Sequence, residues 1–256
     1  MKVAILLPVY NQPKWTKVCY ETLRKYTKKG LYDLFVLENG STDEEFLFPK
    51  DDDLYFFRVE KNIGFGAGVN QLAAWAKFNH DYEYYCWIHN DFCFTENWLE
   101  GLLSVMADYC NCMKVGCSQF IDRNAKDIPD DERNEIAKKF KQDIQGTANL
   151  DPALVRKETF EKFGHFDPLF EQQECEDVDY NKRIMDAGYQ VLGTQRSIVW
   201  HGMSITRATT PEATRVRGQN QLRFLKKHNV EDFEKWNHAN KISITANGRM
   251  FALYTL

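Results

Sequence analysis

Residues 3–11 of the sequence read VAILLPVYN. The short, wholly apolar run from Val3 to Leu7 is typical of a strand covered on both faces. Apolar residues then recur at helical spacing from Pro13 to Tyr26, with proline at the first helical position, where its fixed φ favours a helix start. The opening of the chain therefore predicts a strand followed by a helix, the repeating unit of α/β proteins.

This alternation continues through the first half of the sequence. Because strands that alternate with helices form parallel ladders, we expect an α/β fold with a mostly parallel central sheet and helices on both faces. Thr95 is a plausible N-cap for the last helix of this half. The further predicted elements are strands at Leu34–Leu37, Leu54–Val59 and Tyr84–Ile88, and helices at Ala67–Phe78 and Thr95–Ala107.

The second half is less regular. A glycine, Gly188, stands where it can close a helix in the left-handed conformation. The predicted elements are a charged helix with solvated loops within Asp122–Gln142, an acidic run at Glu171–Asp179 leading into a helix at Tyr180–Ala187, two short strand-like stretches within Val191–Trp200, and a helix at Pro211–Lys227.

Composition narrows the class of protein. The chain has 256 residues and a net charge of −4. Proteins that bind nucleic acid over their whole surface are usually basic, so this overall charge does not support such a function. Its seven cysteines show no framework spacing and no secretory signal precedes them, so we expect reduced thiols and a cytoplasmic location. Cys110, Cys112 and Cys117 cluster, but their spacing matches no common zinc pattern, and ordinary thiols are the favoured interpretation.

Polar, turn-forming residues follow each of the first four predicted strands, at 8–11, 38–43, 61–66 and 89–91. The carboxyl ends of parallel strands lie at one edge of a sheet, which is where such folds bind ligands. This shared placement predicts a binding site at that edge.

The glycines of Gly64–Gly68 invite comparison with a dinucleotide fingerprint. Val69 occupies the place of the fingerprint's third glycine, and the segment follows the third strand instead of the first, so dinucleotide binding is rejected. A turn from strand to helix and a close backbone approach to a ligand both remain open.

Asp91 ends the fourth strand, where a carboxylate suits Mg²⁺ or Mn²⁺ that also binds phosphate. A turn or cap aspartate is the alternative. His201 follows the apolar run Ile198–Trp200; a lone histidine there is usually structural, but a metal near Asp91 would make it a ligand.

Five acids crowd into Glu171–Asp179, and like charges this close raise each other's pKa, as suits a general base. Attraction to a helix N-terminus and an Asp179–Arg183 pair explain only one or two of them. Between Arg196 and His228 the only acid is Glu212, so this basic segment can clamp a diphosphate or an anionic acceptor; a solvated helix face is the alternative.

In this order and spacing, the motifs resemble the family-2 glycosyltransferases of GT-A fold, most closely their rhamnosyltransferase-like branch, over about Lys2 to Thr206. The resemblance rests on Pro8–Asn11, Glu38–Asp43, Asn62 through Asn70, Asn90–Asp91, Gly164–Asp167, and Glu176–Asp179 with Arg183 and Gly188.

The resemblance implies a GT-A domain at 1–206 and a C-terminal helical extension at 207–256 packed on it. It implies that Asp177 is the catalytic base and that Asp91 and His201 hold a divalent metal, Mn²⁺ or Mg²⁺. Donor-binding residues would be Pro8, Tyr10, Asn11, Glu38, Asn39, Ser41, Asn62, Gly64, Asn70, Asn90 and Asp91; Glu176, Arg207 and Arg215 would meet the acceptor or the diphosphate.

Two positions depart from the family's pattern. Glu38 stands where the family usually has aspartate, and His89-Asn90-Asp91 keeps a single acid where the metal motif often has two, which makes His201 more important. The implied reaction is inverting transfer of a sugar from a nucleoside diphosphate sugar to an acceptor hydroxyl of a glycan, a lipid-linked sugar, a protein or modified nucleic acid. A nucleotidyltransferase and a non-catalytic nucleotide-sugar-binding protein remain alternatives.

Overall fold

The computed structural model of the chain describes residues 2–44, 46–143, 145–147, 150–172, 174–202, 211–233, 245–246 and 249–250. Most of its strands join one nine-stranded sheet, and a separate two-stranded ladder pairs β10 with β11. The strands are β1 (Val3–Val9), β2 (Tyr32–Asn39), β3 (Leu54–Val59), β4 (Tyr84–Trp87), β5 (Phe92–Cys93), β6 (Cys112–Ile121), β7 (Gln145–Thr147), β8 (Ala153–Arg156), β9 (Gln190–His201), β10 (Thr245–Ala246) and β11 (Arg249–Met250).

The main sheet has the strand order β3-β2-β1-β4-β8-β6-β9-β5, with β7 also paired to β9. The first four strands in this order are parallel, as the sequence predicts. Strand β8 then runs antiparallel to both β4 and β6. Strands β6 and β9 are again parallel, while β5 and β7 lie antiparallel to β9. The sheet is therefore mixed beyond β4, and its second half brings β9 beside the polar edge of the first.

Helices cover both faces of the sheet. Alternate residues of β1 point to opposite sides: Ile5 lies in one apolar cluster with residues of α1 and α3, and Leu6 lies in the other with residues of α2 and α6. This period of two explains why an uninterrupted apolar run forms the central strand. The helices are α1 (Pro13–Tyr26), α2 (Phe65–Asn79), α3 (Trp98–Asp108), α4 (Asp130–Phe140), α5 (Lys157–Phe163), α6 (Glu176–Asp186) and α7 (Pro211–His228), with a 3₁₀ turn at Ala125–Asp127. Among the described helices, none has both the length and the apolar composition needed to cross a membrane.

The predicted elements of the first half are all present, and Gly188 closes α6 with φ 83° as expected. The prediction that Thr95 is the N-cap of the third helix is wrong. Helix α3 begins at Trp98 after Asn97, and the Thr95 hydroxyl instead donates to the Ile198 carbonyl of β9 at 2.5 Å. The acidic run is also more helical than expected, because α6 begins at Glu176 instead of Tyr180.

The two strand-like stretches predicted within Val191–Trp200 form one strand with an interruption. The pairing of β9 with β6 jumps from Thr194 to Ile198, so Gln195, Arg196 and Ser197 are left out of the regular register. Helix α3 packs directly on this bulge. A Cβ on Gly101 would overlap the Arg196 carbonyl oxygen and lie 3.1 Å from the Ser197 Cβ, so the helix approaches the strand closely only because residue 101 is glycine.

We predict that Gly101→Ala destabilises the protein although alanine favours helices. The added methyl group meets backbone, so overpacking of about 1–3 kcal/mol outweighs the helix-propensity gain. The control is Gly218→Ala in α7, where no atom of the described residues lies within 4 Å of the added Cβ and the change should stabilise the protein by about 0.5–1 kcal/mol. Urea unfolding measures both; equal effects of the two substitutions would refute the close approach of α3 to β9.

Candidate functional site

The carboxyl ends of β1 and β2 are joined by polar contacts. The Asn11 backbone N–H donates to the Ser41 hydroxyl at 2.8 Å, and the Asn11 side-chain oxygen accepts from the Thr42 N–H at 2.8 Å. Asn90, after β4, donates to the Asn11 carbonyl at 3.0 Å and to the Thr16 hydroxyl at 2.9 Å. These contacts bring three of the predicted polar clusters together at one edge of the sheet.

The loop after β3 is fastened to the end of β2. Asn39, which is 3% exposed, accepts from the Ile63 N–H at 3.0 Å and donates to the Asn62 side-chain oxygen at 3.2 Å. The same Asn62 oxygen accepts from the Gly64 N–H at 2.8 Å. The amides of Asn39 and Asn62 therefore shape this loop, and Gly64, with φ 90°, provides the backbone turn into α2.

Glu38 is buried at the end of β2. One carboxylate oxygen accepts from the Ser41 N–H at 2.8 Å, and the other lies 3.4 Å from Nε of Arg58. A small hollow opens beside it, and two aromatic residues that the sequence did not single out, Phe46 and Phe48, form part of its wall. The remaining lining residues are Val9, Asn11, Pro13, Thr16, Glu38, Ser41 and Glu44.

Three predicted donor-binding residues have other local surroundings. Pro8 is buried and would lie 3.2 Å from a Cβ on Gly68 of α2. Tyr10 is half-buried at the end of β1. The Asn70 amide is paired with the backbone of Phe166, accepting from its N–H at 3.0 Å and donating to its carbonyl at 2.8 Å. Asn70 thus fastens the Gly164–Asp167 motif to α2.

Asp91 and His201, far apart in the sequence, lie together. Strand β5 begins directly after Asp91 and pairs with the end of β9, so that Phe92 is opposite His201. Nε2 of His201 is 3.3 Å from Oδ1 of Asp91, and the Asp91 side chain is only 8% exposed. Burial alone would raise the pKa of Asp91, but the adjacent His201 and the nearby His89 outweigh burial and lower it. Asp91 is therefore held as a carboxylate.

Gln119 orients the His201 ring. Its side-chain nitrogen donates to the Asp151 carbonyl, which leaves its oxygen to face Nδ1 of His201 at 3.0 Å. Because that oxygen can only accept, the hydrogen-bond network assigns the proton to Nδ1. Nε2, on the side of Asp91, is then the ring nitrogen that can donate to the Asp91 carboxylate or bind a metal.

His89, two residues before Asp91, belongs to a second buried network. Its Nε2 is 3.3 Å from Oδ2 of Asp151, whose other oxygen accepts from the Trp87 indole at 2.8 Å. Burial lowers the pKa of His89, but Asp151, with smaller contributions from Asp91 and Asp177, raises it overall. In turn, His89 and the buried Lys114 outweigh burial and lower the pKa of Asp151 to about 2. Asp151 therefore favours the charged form of His89, and the charge of Asp91 acts in the same direction.

Asp177 approaches the same residues from the first turn of α6. Its carboxylate accepts from the Val178 N–H at 2.8 Å, and its charge acts on both His89 and Lys114. The neighbouring Glu176 is 5% exposed, and its Oε2 has no hydrogen-bond partner among the described residues. Burial and the charge of Asp177 raise the pKa of Glu176 well above its ordinary value, which favours its neutral form.

The basic residues predicted to meet a diphosphate or an acceptor are not placed by the structure. Arg207 and the side chain of Arg215 lie outside the described residues.

The Asp91–His201 pair fits a divalent cation as two ligands. Adjacent ligands of an octahedral ion at 2.1 Å stand about 3 Å apart, close to the 3.3 Å between Oδ1 and Nε2. Within the part of the chain that the structure describes, no group of three or more His, Cys, Asp or Glu side chains is arranged to hold a metal. Oxygens of a bound ligand or water would fill other positions around such an ion, as is usual for Mg²⁺ on phosphates.

Sequence reasoning missed three residues near the site, Lys114, Gln119 and Asp151, and also missed the contact between Phe65 and His89. The Phe65 ring stacks on the His89 imidazole with centroids 4.3 Å apart. Lys114 and Gln119 are polar residues in an otherwise largely apolar strand, and burial of such residues requires partners. A polar residue within an apolar strand was therefore the sequence feature that could have pointed to Lys114 and Gln119.

Residues 4–162 match the sequence model of glycosyl transferase family 2. No curated protein matches the chain. Several solved structures share the fold. TarS from S. aureus, residues 1–349, is 14% identical with a TM-score of 0.57 over 87% of this chain and 66% of that one.

Two further structures with bound ligands are similar. The mannosyltransferase PcManGT from Pyrobaculum calidifontis, in complex with GDP-Man and Mn²⁺, is 14% identical with a TM-score of 0.55, over 78% of this chain and 56% of that one. GalNAc-T7 with UDP, GalNAc and Mn²⁺ is 11% identical with a TM-score of 0.56, over 78% and 43%. The chain thus spans 66% or less of these three structures.

At these identities the structural likeness establishes the fold, and the fold is the GT-A type expected from the motifs. The family is established separately by sequence, because the match covers well over half of the chain and includes the first four strands and Asp91. The chain belongs to glycosyl transferase family 2.

Proposed function

We propose that this glycosyltransferase moves a sugar from a nucleoside diphosphate sugar to an acceptor hydroxyl, with inversion and with help from a divalent metal. The observation that supports it most is the meeting of Asp91 and His201, with Asp177 acting electrostatically on the adjacent His89. The proposal reaches beyond the family match, which ends at residue 162 and includes neither His201 nor Asp177.

Sugar transfer places positive charge on the anomeric carbon and negative charge on the departing diphosphate. Asp91 Oδ1 and His201 Nε2 would hold Mn²⁺ or Mg²⁺, which when bound supplies Lewis-acid stabilisation of that diphosphate. Two solved relatives in the comparison contain Mn²⁺ with a nucleotide or nucleotide sugar, which supports this assignment. The charged form of His89, favoured by Asp151, would add a fixed positive charge beside the same group.

Asp177 would act as the general base. A carboxylate at the N-terminal end of α6 can take the proton from the acceptor hydroxyl as that oxygen attacks the anomeric carbon. A single displacement of this kind inverts the anomeric centre. Glu176 is buried beside Asp177, and its Oε2, which has no hydrogen-bond partner in the described part of the chain, would bind a hydroxyl of the donor sugar or the acceptor.

The nucleoside would occupy the edge formed by the ends of β1 and β2. The hollow beside Glu38 has Phe46 and Phe48 in its wall, and aromatic faces suit a nucleobase. Asn62 and Gly64 would lie along the donor, as their loop is fastened to β2. UDP-GlcNAc, UDP and GDP-Man are present in structures that share the fold, which makes uridine and guanosine donors the first to test.

The acceptor class remains a glycan, a lipid-linked sugar, a protein or modified nucleic acid, with Arg207 and Arg215 as candidate contacts to an anionic group. We further propose membership of the rhamnosyltransferase-like branch, a division at residue 206 between the GT-A domain and a helical extension, and a cytoplasmic location. The order and spacing of the sequence motifs support the branch, and seven free thiols suit a reducing compartment.

We predict that Asp177→Asn leaves donor affinity within about twofold and lowers turnover by at least about 10²-fold, because an amide cannot accept the acceptor's proton. Turnover is measured as nucleoside diphosphate released from UDP-GlcNAc or GDP-mannose with Mn²⁺, and affinity by calorimetry. The control is Asp186→Asn at the other end of α6, an exposed residue paired with Lys182.

Normal turnover by Asp177→Asn would remove this residue from the mechanism. Release of pyrophosphate by the unsubstituted chain would favour a nucleotidyltransferase, and tight donor binding without any release would favour a non-catalytic binding protein.

We predict that Asp91→Asn and His201→Ala each weaken Mn²⁺ binding in the presence of UDP or GDP by at least about 10-fold, because each removes one of two protein ligands. Electron paramagnetic resonance of free Mn²⁺ measures the affinity without relying on turnover. The exposed His80→Ala is the matched control. Unchanged Mn²⁺ affinity in both site variants would exclude this pair as the metal ligands.

A further inference from the structure

We propose that Asn220, on α7, is a positioning residue that holds the backbone before Asp177 in its working conformation, and that α7 thereby sets the placement of the base. The inference rests on the proposed role of Asp177. It concerns a helix that lies outside the family match at 4–162 and whose function the motifs do not explain.

The segment that leads into α6 has an unusual backbone. Gln172, Glu174 and Cys175 have φ of 62°, 85° and 72°, in the left-handed region that residues with a Cβ rarely adopt. Such conformations persist only where surrounding contacts enforce them. Cys175 immediately precedes the helix, two residues before Asp177, so a change in this backbone would move the first turn of α6.

Asn220 supplies one of those contacts. Its side chain is fully buried, and its amide nitrogen donates to the carbonyl of Glu171 at 2.9 Å and to that of Glu174 at 3.1 Å. Its oxygen accepts from Arg223, which also lies 3.4 Å from the Glu171 carboxylate. One amide group thus spans the segment from end to end and pairs two carbonyls that the left-handed residues turn away from regular secondary structure.

The segment is held from the opposite side by the loop after β3 and the start of α2. The Phe65 N–H donates to the Gln172 carbonyl at 2.6 Å. The chain passes so close to Gly64 that a Cβ there would lie 2.6 Å from that carbonyl oxygen. Phe65 in turn stacks on His89. The strained backbone is therefore clamped between the loop that would bind the donor and Asn220 of α7.

Helix α7 is itself anchored firmly enough to act as a support. Phe224, one turn after Asn220, is fully buried against Phe170 and Cys175. At the end of α7, Lys227 and His228 contact the buried carboxylate of Asp179 at 2.5 and 2.8 Å. Asn220, Phe224 and these last residues recur at three- and four-residue spacing, so one face of α7 lies along α6 and the segment before it.

The test compares Asn220→Asp with Gln219→Glu. Both replace an amide by a carboxylate in α7, but Gln219 is exposed. Asn220→Asp keeps the shape of the side chain and loses both N–H donors. Asn220→Ala, which adds no charge, is a second variant in case the aspartate prevents folding. Hydrogen exchange of residues 171–178 and turnover of UDP-GlcNAc or GDP-mannose with Mn²⁺ are measured for each.

We expect Asn220→Asp and Asn220→Ala to raise exchange at residues 171–178 at least about fivefold and to lower turnover at least about 10-fold. Donor affinity should change less than twofold, and Gln219→Glu should match the unsubstituted chain. In an Asp177→Asn background, adding Asn220→Asp should lower turnover less than twofold further, because two residues that act through one step are not additive.

Exchange at 171–178 that is no faster in either Asn220 variant than in Gln219→Glu would overturn the proposal. An additive loss in the double variant would also overturn it, since Asn220 would then act independently of the base. If Asp177→Asn alone turned over normally, the proposed base would fail; local exchange would still report whether Asn220 holds the segment.

Discussion

The site depends on one short antiparallel ladder. Strand β5 contains only Phe92 and Cys93, and its pairing with the end of β9 places Phe92 opposite His201. Since Asp91 directly precedes β5, the ladder sets the backbone separation that lets its carboxylate come within 3.3 Å of the imidazole. The Gly202 N–H adds a second tie by donating to the Asp91 carbonyl at 2.9 Å. Backbone hydrogen bonds thereby fix the approach of Asp91 to His201, two residues that lie far apart in the sequence.

Acidic and basic side chains surround the Asp91–His201 pair, and each acts on side chains of opposite charge. His89 contacts the carboxylate of Asp151 and also feels the charge of Asp91, and Lys114 is buried where the charges of Asp151 and Asp177 act on it. Buried charges are costly unless each meets an opposite charge or a hydrogen bond. Asp91 therefore does not stand alone: the two residues before it contribute an imidazole whose pKa is raised by Asp151 and an amide that ties the end of β4 to that of β1.

The first half of the fold could be predicted because its signals are local. The apolar run Val3–Leu7 and the helix Pro13–Tyr26 are each visible within a few residues, and the polar ends of parallel strands must share an edge. Asp91 and His201 were found on that edge and by resemblance. Strand β5 could not be predicted, since two residues are too few to show a period.

Other features depend on contacts that no local pattern records. Thr95 has the chemistry of an N-cap, yet its hydroxyl is taken by a carbonyl of β9, because tertiary contacts override local preference. Gln119 matters through its partners His201 and Asp151, which lie far away in the sequence. Asn220 likewise gains its importance from two carbonyls before α6. In each case the role of the residue depends on a hydrogen bond to a distant part of the sequence, and such a contact is visible only in the folded chain.

Asp91 and His201 are proposed to be joint ligands of a divalent cation that also binds the donor's diphosphate. Crystals grown with Mn²⁺ and UDP or GDP, with diffraction recorded near the manganese absorption edge, test it directly. We expect one anomalous peak about 2.2 Å from both Oδ1 of Asp91 and Nε2 of His201 and in contact with phosphate oxygens. The assignment of Asp91 and His201 as metal ligands would be contradicted if the nucleotide bound at the sheet edge while manganese lay elsewhere. It would also be contradicted if these two side chains were turned away from the bound manganese.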